Sequence, residues 1–296
     1  MEVKEAFLQH ISVERRLSQK TVETYGETLK LFEDFLVTMP DPRALETADS
    51  DNIRDWMEQL MEQEHSPAYV NRSLAALRTF YKFCFANAIV QKDPAHGIVG
   101  PKKAKRLPSF LKEKEMDRLL EILDDEDENI NNVRARTIIY MLYLTGIRSA
   151  ELLQLDDDMI DFVSREVKVT GKRNKQRLIP FGEELHNVLQ RYITIRDANI
   201  SRIDNALFVT DKGRRMTYAQ VRTIVRDNLA LVTNLKKRSP HVLRHTFATT
   251  MLNNDANLES VKKLLGHQSL STTEIYTHTT FEQLKRIYNE AHPREG

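Results

Sequence analysis

The chain has 296 residues, of which 41% are hydrophobic and 29% charged, with a formal net charge of +1. That length predicts about two domains, each able to bury a core, and the ordinary apolar content excludes long disorder and fibrous repeats. One cysteine, Cys84, excludes an intrachain disulfide, and the apolar run 137–147 is too short and too polar to cross a bilayer.

Residues 2–96 read as helical throughout, with Phe7, Ile11, Tyr25, Leu29, Phe32 and Phe35 at helical spacing. Residues 52–62 form an amphipathic run that places Ile53, Trp56, Met57 and Leu60 on one side. Ser66-Pro67 supplies a cap and a first-turn proline for the last helix, making about four in an all-helical bundle. Cys84 falls among Phe80, Tyr81, Phe83 and Phe85 and reads as core. The helical pattern ends at Asp93-Pro94-Ala95-His96-Gly97, so the first domain spans 1–99. Gly100, Pro101 and Pro108 bracket Lys102, Lys103, Lys105 and Arg106, which predicts an exposed basic linker over 100–108. Such a linker can lie along a nucleic-acid backbone or serve as a plain solvated tether.

The second domain is expected over 109–296. Helices are predicted at 112–123, 133–144 and 150–154, with the acidic run 124–128 as a solvent loop. Between 163 and 181 the period changes to two, with Val167 and Val169 alternating with Lys168 and Thr170. That predicts a β-hairpin with Lys172, Arg173, Asn174 and Lys175 at its tip. Helices follow at 183–196, 217–232, 240–254, 258–265, 271–279 and 281–290. Phe281, Leu284, Ile287 and Tyr288 form an apolar stripe on the final short helix.

Charge divides unevenly. Residues 1–100 carry 11 Lys and Arg against 16 Asp and Glu, and residues 101–296 carry 33 against 27. An anionic partner is thus steered toward the second domain.

Candidate chemistry lies in that domain. Ser239-Pro240 opens a helix, with serine as N-cap, and places His241 and Arg244 on one face of the first turn, beside free N–H groups that favour anions. A guanidinium there can grip two phosphate oxygens. Gly266 closes the next helix and leaves His267 at its exit. Ser271 and Glu274 match a capping box, which puts Tyr276 in the second turn of the following helix. Arg148 sits between a helix stop, Thr145-Gly146-Ile147, and a helix start at Ser149, with Glu151 spaced to hold its side chain. Taken alone, each has a bland reading: a surface arginine, a solvated hairpin lysine, a packed tyrosine. Together they can hold one phosphate and attack it with a phenol. No cysteine pair, magnesium-type carboxylate cluster or phosphate-binding glycine loop appears, so no metal or nucleotide cofactor is expected.

Nearly the whole chain resembles the tyrosine recombinases of the phage-integrase superfamily, and within it the Xer branch. The resemblance rests on Arg148 in Thr-Gly-Ile-Arg-Ser-Ala-Glu-Leu, Lys172 in Gly-Lys-Arg-Asn-Lys-Gln-Arg, His241 and Arg244 in His-Val-Leu-Arg-His-Thr-Phe-Ala-Thr, His267 in Leu-Leu-Gly-His, and Tyr276 in Ser-Thr-Thr-Glu-Ile-Tyr-Thr-His. Arg173 departs from the glycine usual in Xer proteins, and Asn254-Asp255-Ala256-Asn257 from a frequent glycine turn. The resemblance implies a mainly α fold with a small antiparallel β-sheet: an all-helical SAM-like core-binding domain and a mixed α/β catalytic domain, closing on DNA as a C-shaped clamp. It implies Tyr276 as nucleophile, Arg148, Arg244 and His267 on the phosphate, His241 as general base, Lys172 as acid for the leaving 5′-hydroxyl, and a 3′-phosphotyrosyl intermediate. Lys102, Lys103, Lys105, Arg106, Arg173 and Lys175 become DNA-binding candidates.

The implied partners are duplex DNA with paired half-sites and a tetramer, of this chain alone or with a related recombinase, the tail packing into a neighbouring protomer. The tail docking on its own domain is the other reading. Met1-Glu2-Val3-Lys4-Glu5 lacks the order of a signal peptide, and a bacterial or archaeal cytoplasmic, nucleoid-associated protein without membrane insertion is expected. Chromosome dimer resolution is the first expectation. An integrase or invertase of a mobile or phase-variable element, a type IB topoisomerase and a non-catalytic DNA-binding protein are the alternatives. The length leaves little room for an arm-binding domain, which favours a Xer protein or a simple invertase.

Overall fold

The computed structural model describes residues 2–102, 109–124, 129–171, 174–266, 287–288 and 290–291. The chain divides into two compact units, Met1–Arg106 and Leu107–Gly296.

The first unit is all-helical: α1 (Val3–Val13), α2 (Gln19–Val37), α3 (Ser50–Glu62) and α4 (Pro67–Ala86). Each boundary has a local cause. Ser18 and Ser66 accept the amides of Thr21 and Tyr69, Asp49 and Asn52 form a capping box, and Pro67 sits in the first turn of α4. The inward faces meet in one core where Phe7 meets Phe80 edge-on at 5.3 Å and Trp56 meets Phe32 at 5.0 Å. Cys84 is fully buried in it.

The helical reading to residue 96 is corrected here. Helix α4 stops ten residues earlier because Asn87 caps it: its amide and its side chain both donate to Phe83 O, at 3.1 and 2.8 Å. Ala88 then turns left-handed (φ +54°), and Ile89 N returns to Cys84 O. The first unit also reaches into the expected linker, since Asn71 Nδ2 donates to Pro101 O at 2.8 Å.

The second unit is built around α6 (Ile130–Thr145), buried on nearly every side from Val133 to Thr145. A helix apolar all round belongs at the centre of a core. It packs against α8 (Glu183–Asn199), α10 (Pro240–Asn253), α9 (Tyr218–Ala230) and α5 (Glu113–Leu123). Two short helices, α7 (Ser149–Leu153) and α11 (Leu258–Leu265), also belong to the unit among the described residues. The expected hairpin is present as β2 (Glu166–Thr170) and β3 (Gln176–Pro180), closed at its end by Gly171 N to Lys175 O at 2.7 Å. A two-residue strand, β1 (Ile160–Asp161), joins it in an antiparallel sheet of order β1-β2-β3. This strand was invisible to periodicity because two residues carry none.

Among the described residues no helix is long and apolar enough to cross a membrane. The described tail residues dock on their own unit. Tyr288 is fully buried and donates its hydroxyl to Leu144 O at 2.9 Å, and Asn254 Nδ2 donates to Ala291 O at 2.9 Å. For these residues the reading of a tail on its own domain is the one seen, and Phe281 and Leu284 of the expected stripe lie outside the described residues. The physical reason is that Tyr288 and Ala291 complete the apolar cluster beside α6.

Candidate active site

The site forms where two helices end and two begin. Gly146 closes α6 and Gly266 closes α11, both left-handed (φ +61° and +63°). The carboxyl ends of both helices therefore turn toward one place, with unpaired carbonyls and the negative ends of their dipoles.

Three guanidinium groups occupy that place, and each takes one of the last three carbonyls of α11 and its cap. Arg177 Nε donates to Leu264 O at 2.9 Å, Arg244 Nη2 to Leu265 O at 2.6 Å, and Arg148 Nη2 to Gly266 O at 3.1 Å. Arg244 also donates to Gly146 O at 2.5 Å, so it bridges both helix ends.

One carboxylate serves this group. Glu151, in the first turn of α7, is 3% exposed. It accepts from the Arg148 amide at 2.7 Å, from Arg148 Nη1 at 2.9 Å, and from both terminal nitrogens of Arg177 at 2.8 and 2.9 Å. Burial opposes its ionisation, but the Arg177 hydrogen bonds and the Arg148 amide outweigh it and hold the carboxyl below its usual range.

Arg244 is different. It is 6% exposed, and among the described residues it has no carboxylate partner. Burial and then the charge of Arg148 pull its pKa down to about 10, with Glu151 offsetting part of this. It stays charged at neutral pH, held by carbonyl dipoles. In these contacts Arg148 and Arg244 each use two of the five N–H donors of a guanidinium.

Helix α10 explains how Arg244 arrives. Pro240 begins it, and Leu243, Phe247 and Met251 bury one face. Ser239 occupies the cap position, but its side chain makes no capping bond, which corrects the sequence reading; its carbonyl accepts Val242 N instead. His241 is exposed one turn before Arg244. His245, which sequence reasoning passed over, follows Arg244 directly. Burial, then His241 and Arg244, lower its pKa, so its ring is neutral at pH 7.

Of the other expected site residues, Lys102 and Lys175 are exposed. Lys172, Arg173, His267, Tyr276, Lys103, Lys105 and Arg106 lie outside the described residues. Arg177 was missed, although the sequence held a signal for it. Position 177 pairs with Val169 as Ile179 pairs with Val167, on the inward face of the hairpin. A cation in that register requires a buried anion.

An all-helical unit is followed by a mostly helical one that gathers guanidiniums at paired helix ends, a cationic arrangement suited to a phosphate. Residues 109–283 match the phage integrase family, and residues 5–87 match its N-terminal SAM-like domain. The chain belongs to the phage integrase family, the tyrosine recombinases. It is 35% identical to tyrosine recombinase XerC of Chlorobaculum tepidum, over 97% of this chain and 93% of that one. It is 38% identical to XerC of Staphylococcus epidermidis, over 99% and 97%. Its fold matches XerH site-specific recombinase, solved with a palindromic difH substrate as a post-cleavage complex, with TM-score 0.74, 22% identity, and 96% and 83% of the two chains covered.

Proposed function

We propose that this chain recombines duplex DNA at a specific site through a 3′-phosphotyrosyl intermediate, with Tyr276 as nucleophile. The observation that carries this reading is the arginine trio on the end of α11, in which buried Arg244 is charged and, among the described residues, has no carboxylate partner. A scissile phosphate supplies the missing negative charge. Three guanidiniums against one carboxylate leave the site cationic, which suits the extra charge of a five-coordinate phosphorane.

The phenol oxygen of Tyr276 attacks phosphorus as its proton passes to His241, and the bond to the 5′-oxygen breaks as Lys172 protonates it. Arg148 and Arg244 hold the non-bridging oxygens, and His267 adds a hydrogen bond. The phosphotyrosyl bond conserves the energy of the broken linkage, so a second strand's 5′-hydroxyl reverses the step without an external energy source. Lys102, Lys103, Lys105, Arg106, Arg173 and Lys175 are proposed backbone contacts of a clamp that closes on the duplex. The proposed role is chromosome dimer resolution in the cytoplasm, by a tetramer on paired half-sites; the XerC names of the relatives are consistent with dimer resolution.

The test uses duplexes selected by this protein from random-sequence DNA, nicked so that the cut strand is lost. Wild type should accumulate a covalent protein–DNA adduct, and Tyr276→Phe should bind equally and form none. An adduct that survives Tyr276→Phe overturns the assignment.

A further inference from the structure

Arg177 uses three donors on two partners, and both partners lead into the arginine pair. Its fork faces both oxygens of Glu151, and its Nε holds Leu264 O. Its side chain is 8% exposed, against 37% for Arg148. It is thus less open than Arg148, and its three donors turn toward protein rather than toward a ligand. The same two Glu151 oxygens receive the amide and the guanidinium of Arg148. Gly266 leaves the room this requires: a Cβ there would stand 3.1 Å from Arg177 Nη1 and 3.2 Å from Cζ.

Three chain segments meet at this one side chain. Glu151 is 26 residues away in sequence and Leu264 is 87. Arg177 itself lies on β3, just after the connection that contains position 172. Helix α7 begins at Arg148, and α11 ends one residue before Gly266, after which the chain runs to His267.

We propose that Arg177 is a positioning residue for strand cleavage: it fixes Glu151 in the one orientation that aims Arg148, and it locks the end of α11 and the lysine hairpin to the same point. It does so without touching the phosphate. The inference rests on the proposed cleavage reaction and adds to it a residue whose effect passes through Glu151. Misplacement of a reacting group by about 1 Å costs on the order of 100-fold in rate. Lysine cannot replace the fork, because an ammonium offers no bidentate face to a carboxylate.

The experiment measures single-turnover cleavage and DNA affinity of the full chain on the selected nicked duplexes, for wild type, Arg177→Gln, Arg177→Lys, Glu151→Gln and the Arg177→Gln/Glu151→Gln double variant. Tyr276-dependent adduct formation by wild type tests the reaction itself, separately from this proposal. Arg177→Gln and Arg177→Lys should bind DNA within about threefold of wild type and cleave about 100-fold more slowly. The double variant should cleave no more slowly than the worse single one, as expected when one residue acts through the other. The rate of Arg177→Gln should also fall more steeply than that of wild type on acidification, since Glu151 then lacks the hydrogen bonds of Arg177 that hold its carboxyl down. Cleavage within threefold of wild type, parallel losses of affinity and rate, or multiplicative effects in the double variant would each overturn the proposal. Where Arg177→Gln does not fold, Gly266→Ala displaces the guanidinium without removing its charge, and a normal cleavage rate in that variant overturns it equally.

Discussion

Replacing Glu151 with glutamine leaves the shape of the side chain and removes the one negative charge that the described residues place among three cations. The carboxylate accepts four hydrogen bonds between 2.7 and 2.9 Å, all at a site 3% exposed. Glutamine keeps one accepting oxygen and turns an NH2 toward donors, so two of the four bonds are lost. At about 1.5–3 kcal/mol for a hydrogen bond to a charged group, the loss is about 3–6 kcal/mol. Stripping one partner from a buried ion pair gives about 3–5 kcal/mol by a separate route. Domains are stable by about 5–15 kcal/mol, so the variant folds but unfolds at much lower denaturant.

Urea unfolding followed by circular dichroism reads this change. Emission of Trp56, the sole tryptophan, reports on the first unit and serves as the internal control. The pH dependence has a definite sign. The folded carboxyl lies below its ordinary value of 4.5, so its stabilisation is complete above that value and is lost as pH falls through the lowered one. The gap between wild type and Glu151→Gln should therefore be full at pH 7 and shrink only below about pH 4.5. A gap under about 1 kcal/mol at pH 7, or one unchanged in strong acid, refutes the reasoning.

Arg244→Ala should slow single-turnover cleavage by about 100- to 1000-fold, the cost of removing one preorganised donor to a developing oxyanion; near-normal cleavage contradicts that role. Gly146→Ala forces alanine into φ +61° and places a methyl 2.4 Å from Phe247 Cδ1 and 2.9 Å from Leu265 Cδ2. The left-handed backbone costs about 1–2 kcal/mol and overpacking about 1–3, so denaturant unfolding should show a loss of about 2–5 kcal/mol. Cys84 is fully buried, and burial pushes its thiol up to about 12. A disulfide reagent at pH 8 should therefore modify it no faster than the first unit unfolds, and rapid labelling of the native protein contradicts that packing.

Much of the helical order was legible because its causes are local. Asn52 to Glu62 was read as a helix from its spacing, and the structure starts α3 only two residues earlier, at the capping box of Asp49 and Asn52. Helix α11 falls over Leu258–Leu265 as expected, since Asn257 caps one end and Gly266 closes the other. The β2–β3 hairpin follows from the alternation at Val167 and Val169. Where the reading failed, a local contact that the residue pattern does not signal decided. The stop at Ala86 depends on Asn87 folding back onto Phe83, with Ala88 in a conformation that its residue type does not announce.

Residue types and short spacings alone placed most of the helices, the hairpin and the family resemblance, and marked Arg148, Lys172, His241, Arg244, His267 and Tyr276 as candidate site residues. What only the tertiary structure decided is which cations share an anion and which do not. Arg177 reads as one more polar residue of a strand until Glu151 and Leu264, distant in sequence, are brought against it. Arg244 is legible in sequence as a cation at a helix start, but only packing around Phe247 seats it on two helix ends, with no carboxylate partner among the described residues. Caps and periodicity act over a few residues and survive in linear order, whereas charge compensation acts through space and exists only once the core has closed.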